Sequence, residues 1–298
     1  MNILITGATG TIGKPLCDFL MHSTSEYRLF FAHRRPAIAR SKLSAKTWQI
    51  RQFDFEDIYS FEPALKDIDR LFLLRPPQLT DIKGAIVPLL NKAKQAGVKD
   101  IVFLSIQSAN HNKWTPHYKI EQAIEKSGIN YVFLRAGFFM QNFIQEIRED
   151  IVRRDEIFVP AAARRFNFVD TDELAEVAAK LLLSPPETPQ KYTLIGTSPM
   201  DYYRVSRLLS EALGREVKYA NPNPLWFIIK KMMRGKSFLF AFVQVVLYRF
   251  NQVPPRDQYK HTLQRLLQRP PKSLSAFFQE QRATLQPATA PEADKPRD

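Results

Sequence analysis

Residues 1–13 read MNILITGATGTIG, and residues 14–22 continue KPLCDFLMH. The apolar run from Asn2 to Thr6 leads directly into Gly7, Gly10 and Gly13, after which Leu16, Phe19 and Leu20 recur on one helical face. This spacing predicts a strand, a tight turn and a helix from Lys14 to His22. Such a turn aims backbone N–H groups and the positive end of a helix dipole at an anion. Gly7 permits the sharp exit from the strand, Gly10 allows close approach of a pyrophosphate, and Gly13 lets helix and strand pack closely. Thr9, Thr11 and Ile12 lie between the glycines and are expected to meet the same phosphates.

Working outward, apolar strands are predicted at Tyr27–His33, Thr47–Phe53, Arg70–Leu74, Asp100–Ser105 and Tyr131–Arg135, and helices at Ile58–Lys66, Asp81–Ala96 and Tyr118–Lys126. Strands that are apolar throughout and alternate with helices belong in a parallel sheet covered on both faces. The fold class is therefore α/β, a doubly wound parallel Rossmann sheet, with a smaller and mainly helical C-terminal substrate region. Residues 1–155 are read as the nucleotide-binding domain. Residues 156–283 are read as a C-terminal region that partly completes the sheet, through Lys191–Ile195, and partly forms a helical lid. Residues 284–298, rich in proline and polar residues, are read as a disordered tail.

Ligands of such sheets bind beyond the carboxyl ends of the strands. An NAD-binding sheet usually carries an acid at the end of its second strand, but here that place reads His33-Arg34-Arg35-Pro36. A carboxylate would repel a 2′-phosphate, whereas a guanidinium grips one through paired charge-assisted hydrogen bonds. Arg34 and Arg35 therefore point to NADP, with NADPH preferred over NADH. Asp54 and Phe55 are placed to meet the adenine, Arg75 and Pro76 follow the fourth strand, and Ser105 follows the fifth. Phe138 is expected along the nicotinamide. Ser105 and Ser108 either hold ligand or cap the next turn, and Phe139 and Met140 either wall the substrate or belong to the core.

The chain has 298 residues, a single cysteine, Cys17, and a net charge of +13. One cysteine excludes a disulfide framework and a multi-cysteine metal site, and no metal is expected. No signal peptide is apparent, and the longest apolar run, Phe238–Tyr248, is about half a bilayer span. The expected compartment is the cytoplasm. Between Asn223 and Lys272 ten Lys or Arg residues face one acid, Asp257, so this window carries +9 of the +13. It has three readings: a substrate pocket lined by Trp226, Phe227 and Met232, a basic amphipathic surface for an anionic membrane, or a site for an acidic partner. Nucleic acid is the least expected partner.

Several segments resemble the NmrA-like group of atypical short-chain dehydrogenases/reductases. These are the Gly7-x-x-Gly10-x-x-Gly13 spacing, LFLLRPP at 71–77, HYKIEQAIEKSGINYVFLRAGFFMQNF at 117–143, VDTDELAEVAAKLL at 169–182 and RPPKSLSAFFQEQ at 269–281. The resemblance implies NADPH-dependent reduction of quinones, azo dyes or triphenylmethane dyes, or a transcriptional co-regulator that binds the nucleotide without reducing anything. The wider superfamily uses a Tyr-x-x-x-Lys pair, in which the lysine lowers the tyrosine's pKa for proton transfer. In extended relatives that lysine stands four residues before a glutamate. Counting back from Glu121 gives His117 and then Lys113, so these two replace the pair. His117 either passes a proton or is structural.

Overall fold

The computed structural model describes residues 1–23, 26–42, 49–79, 81–250, 259 and 261–287. Six strands, β1 (Asn2–Thr6), β2 (Arg28–His33), β3 (Gln49–Gln52), β4 (Arg70–Leu73), β5 (Asp100–Ile106) and β6 (Asn130–Ala136), join a seventh, Gln190–Leu194, in one sheet. Its order is Gln190–Leu194, β6, β5, β4, β1, β2, β3, and every pairing is parallel. The chain runs outward from β1 to β3 and then returns to place β4 on the other side of β1. The topological switch therefore lies between β1 and β4. The Thr6 hydroxyl spans this point, accepting from Leu74 N at 2.7 Å and lying 3.1 Å from the Phe72 carbonyl.

Helices α1 (Gly13–Met21), α2 (Pro36–Lys42), α3 (Phe61–Leu65), α4 (Ile82–Gln95) and α5 (Pro116–Ser127) follow the strands. Alternate residues of each strand enter opposite apolar layers. Ile3, Ile5 and Phe72 pack with Leu16 and Leu20 of α1 and with Leu174 and Val177, whereas Leu4, Leu71 and Phe103 pack with Phe61, Ile86, Leu89 and Ile120. Both faces are thus dry, which is why the strands read as continuous apolar runs. The helix ends follow local chemistry. Thr115 caps α5 by accepting from Tyr118 N, Pro116 occupies its first turn, and Gly128 ends it at φ 73°.

The strands lie within two residues of their predicted bounds, with Thr47 and Trp48 of the predicted third strand outside the described residues; α2 is not predicted, because Pro36 after two arginines reads as loop. Proline is well suited to the first turn of a helix, where its missing N–H costs nothing. The predicted helix at Ile58–Lys66 is a 3-10 turn, Ile58–Ser60, followed by α3.

A single boundary at residue 155 does not describe the chain. One compact unit comprises Met1–Phe139, Val169–Gly196 and Pro255–Pro271, and the other Met140–Phe168, Thr197–Pro254 and Lys272–Asp298. The helix Thr171–Leu183, capped by Asp170, returns to the first unit together with the sheet-edge strand Gln190–Leu194. The predicted tail also begins too early. Thr284 and Leu285 finish the helix Arg282–Leu285, with Leu285 buried, while 288–298 lie outside the described residues.

The second unit has its own aromatic core. Phe143 lies edge-on to Phe278 at 5.0 Å and beside Phe168 at 5.6 Å, and Tyr202 packs against Phe168 at 5.9 Å. Its helices Pro224–Met233 and Phe238–Phe250 carry the apolar and basic stretch of the sequence. The cations there are not a free basic surface. Arg234 grips the fully buried Asp150 through two bonds of 2.9 and 2.6 Å, and Lys230 bonds Glu156 at 2.8 Å. Lys231 is buried. Burial alone would raise the Asp150 carboxyl, but Arg234 and then Lys230 hold it below the ordinary carboxylate range. Elsewhere in the window, Arg269 pairs with Glu173 and Glu176 in the first unit, and Lys272 pairs with Glu280 in the second. Arg256 and Lys260 lie outside the described residues. Lys230, Arg234, Arg269 and Lys272, four of the ten cations of the window, are thus paired with acids. Among the described residues no helix is long and apolar enough to cross a membrane.

Candidate functional site

A cavity of about 780 Å³ opens at the carboxyl ends of the parallel strands, within the first unit. This is within the usual range for ligand sites. Gly7, Thr9, Gly10, Thr11 and Ile12 form one wall. Gly7 adopts φ +69°, a conformation that favours glycine, and Gly10 N closes the turn on Gly7 O at 2.9 Å. Gly13 stands behind this wall rather than in it. An added Cβ there would lie 2.0 Å from Gly7 O and 2.7 Å from Ala8 Cα, so its role is close packing of helix on strand. Helix α1 has no capping side chain and no acid in its first turn, which leaves the positive end of its dipole for an external anion.

On the β2 and β3 side the lining is His33, Arg34, Phe53, Asp54, Phe55 and Glu56. The His33 ring holds the loop, with its Nδ1 accepting from Arg35 N at 3.0 Å. The two arginines part company here: Arg34 is exposed and lines the cavity, whereas Arg35 is exposed outside the lining. Asp54 Oδ1 accepts from Glu56 N at 3.1 Å, and the Phe55 ring is largely buried edge-on against Phe53 at 4.8 Å.

On the β4 and β5 side the lining is Leu74, Arg75, Pro76, Pro77, Gln78, Leu79, Leu104, Ser105, Ile106, His117 and Phe139. Arg75 donates to the carbonyls of Pro76, Pro77 and Leu79 at 2.9, 3.0 and 2.6 Å, which fixes its charge in place. His117 stacks on Phe103 with centroids 6.1 Å apart. Burial first, and then the Arg75 charge, push its pKa down to about 3. It is therefore a neutral imidazole at physiological pH. It can donate or accept a hydrogen bond there, but it holds no acidic proton in reserve. Lys113 is exposed and does not line the cavity, and neither do Phe138 or Ser108. Ser108 Oγ is buried without a hydrogen-bond partner. Met140 is fully buried and belongs, like Trp226, to the second unit. Trp226 stands half-exposed on the helix Pro224–Met233.

Protonation of His117 is coupled to unfolding. The folded value lies below the usual value of about 6.5, so the unfolded chain takes up the proton first and acid favours unfolding. His117 should withdraw at most about 1.4 kcal/mol of stability per pH unit as the pH falls from about 6 towards 3. Urea unfolding at successive pH values should show this slope, and His117→Gln should flatten it.

One arrangement escaped the sequence reading. Ser105 donates to Glu121 Oε1 at 2.5 Å, and Arg135, at the end of β6, grips the same carboxylate through Nε at 3.0 Å and Nη2 at 2.5 Å. All three residues are buried. The Ser105 proton is thereby committed inward, so its lone pairs are what the cavity meets. The signal was present in the sequence, because Glu121 and Arg135 are opposite charges on otherwise apolar faces (Ile120 and Ile124, VFL before Arg135). What sequence alone lacks is their pairing across 14 residues.

A parallel doubly wound sheet with a glycine turn at its switch point and a cavity over its carboxyl edge defines a Rossmann-type dinucleotide-binding protein. The model of the NmrA-like family matches residues 1–273, and the chain belongs to that family. Among curated relatives it is 26% identical over 237 residues to Prestalk A differentiation protein A of Dictyostelium discoideum, covering 80% of this chain and 78% of that protein. It is 29% identical over 228 residues to the NAD(P)H azoreductase of Xenophilus azovorans, covering 73% and 76%. The structure of the NADPH-dependent quinone oxidoreductase QOR2 of Escherichia coli in complex with NADPH superposes with a TM-score of 0.81 at 23% identity, over 93% of this chain and 99% of that one. At that identity the likeness speaks for the fold.

Proposed function

We propose that the chain is an NADPH-dependent reductase that delivers hydride to a quinone-like or other conjugated small molecule. The carrying observation is the lining itself: an uncapped helix start behind the Gly7–Gly13 turn, an arginine where an NAD site would carry an acid, and a fixed cation beside a neutral imidazole at the other end. The relatives named as quinone and azo-dye reductases support the same reading.

The lining residues fit the dinucleotide, with Gly13, Arg35 and Phe138 standing outside the lining. Gly7, Thr9, Gly10, Thr11 and Ile12 would hold the pyrophosphate, Arg34 the 2′-phosphate, Asp54 and Phe55 the adenosine, and Arg75, Pro76 and Ser105 the approach to the nicotinamide. NADPH supplies the hydride. Arg75 then stabilises the anion left on the acceptor, because its charge is already positioned and needs no reorganisation. His117 donates a neutral N–H to the acceptor oxygen and stays neutral, and the balancing proton comes from water. This favours acceptors that become stable anions on taking hydride, as a quinone does when it becomes a hydroquinone monoanion. A simple ketone, which needs an acid in the same step, is disfavoured.

NADPH oxidation across a panel of quinones and dyes tests the proposal. Tight NADPH binding with turnover of no acceptor would favour the second reading, a non-catalytic NADP(H)-sensing regulator, for which the unprotonated His117 and the exposed Lys113 speak. Arg34→Ala tests the cofactor. Losing charge-assisted bonds worth about 1.5–3 kcal/mol should weaken NADPH roughly ten- to a hundredfold and leave NADH unchanged. An unaltered preference in titration calorimetry would remove the 2′-phosphate from Arg34.

A further inference from the structure

The two helices of the second unit that carry the apolar and basic stretch are turned inside out. Leu225, Trp226, Ile229, Met232 and Met233 stand exposed along Pro224–Met233, and Phe238, Leu239, Phe242 and Val243 along Phe238–Phe250. Within each helix these positions recur at helical spacing and form one stripe. The opposite faces carry Phe227 and Val245, which share a small core with Phe158, together with Lys230, Lys231 and Arg234. The charged side is thus the inner side, and the apolar side faces outward.

From this we infer that the outer face of Pro224–Phe250 is the contact surface of a homodimer, in which the same face of a second copy covers it. Three observations select this occupant. The first is area. Aromatic side chains bury about 150–250 Å² each and the aliphatic ones and methionine somewhat less, so the exposed fractions of these nine come to roughly 700 Å². That exceeds the roughly 300–600 Å² of the largest apolar patch on an ordinary monomer, and it matches the roughly 800 Å² per partner of a stable association. The second is composition. Tryptophan, phenylalanine and methionine without charge are what the centre of a dimer interface contains, and Trp226, Met233 and Phe242 would be its anchors. The third is charge. A helix resting on an anionic membrane needs its cations available to headgroups, whereas Lys230 and Arg234 are bound to Glu156 and Asp150, and Lys231 is buried. Among the described cations between Pro224 and Arg249 only Lys236, which lies between the two helices, is well exposed.

Light scattering of the full chain after gel filtration should give twice the chain mass of 34.5 kDa. Met233→Glu combined with Phe242→Glu should give the monomer, while NADPH affinity, which depends on the first unit, stays the same. Hydrogen exchange of the unaltered protein provides a check that needs no variant. Peptides from 224–233 and 238–243 should gain protection in concentrated over dilute samples. A monomer at all concentrations, a dimer that survives both glutamates, concentration-independent exchange, or capture of a monomer by phosphatidylserine vesicles would each overturn the inference. A failure to reduce quinones would leave it untouched, since it concerns a face outside the nucleotide cavity.

Discussion

Gly13→Ala is expected to abolish nucleotide binding and to cost the fold about 3 kcal/mol, the upper end of what an overpacked site loses. The obstacle is backbone rather than side chain. The new methyl would meet Gly7 O at 2.0 Å and Ala8 Cα at 2.7 Å, and neither can move without opening the turn that Gly10 N closes on Gly7 O. Gly10→Ala is the matched control. Its Cβ meets only Gly7 O, at 3.2 Å, and Gly10 borders the cavity. It should therefore keep the melting temperature within a few degrees while still obstructing the phosphates. Thermal melts and NADPH titrations of the two variants separate packing from binding. Equal stability of both would show that Gly13 is not a packing glycine.

Glu121→Ala should be more damaging than its distance from the glycine turn suggests. Among the described residues the Glu121 carboxylate is the acid bonded to the Arg135 guanidinium, and both groups are buried. Breaking a buried pair on one side costs about 3–5 kcal/mol, because the remaining charge has neither water nor partner. In a chain of this length that lowers the melting temperature by roughly 10 °C. The loss should be largely recovered in Glu121→Leu with Arg135→Met, which removes both charges and keeps the volume. The double variant also frees the Ser105 proton from Glu121. Any change in reductase rate that remains after stability is restored therefore reports on the polarity of that hydroxyl. A cost below about 1 kcal/mol for Glu121→Ala would place the pair in the class of solvated surface bridges.

The parallel sheet and its glycine turn were legible in the sequence because their signals are local. The glycine spacing, the continuous apolar runs of β1, β4, β5 and β6 and the Gly128 stop of α5 each record a constraint met within a dozen residues. The two arginines after β2 were legible as a pair, but their roles were not, since only the path of the loop, held by the His33 ring, decides that Arg34 and not Arg35 borders the cavity. By sequence, Lys113 and His117 both stand where a Tyr-x-x-x-Lys pair is expected. Burial beside Arg75 separates them, leaving one neutral in the lining and the other exposed.

The long basic window shows the same division most clearly. Counting charge along the chain predicts a positive surface at 223–272. Folding brings Asp150, Glu156 and Glu280 against part of that window, and Glu173 and Glu176 against another part. By itself, then, the amino-acid order determined what short-range sterics and periodicity control: the strands, most of the helix starts and stops, the nucleotide turn and the family. Tertiary structure alone decided which charges are spent on one another, which histidine proton is lost to burial, and which face of an apolar helix is left outside. Most of those outcomes depend on pairs of residues 14 to more than 80 positions apart, whose energies arise when folding removes the water between them.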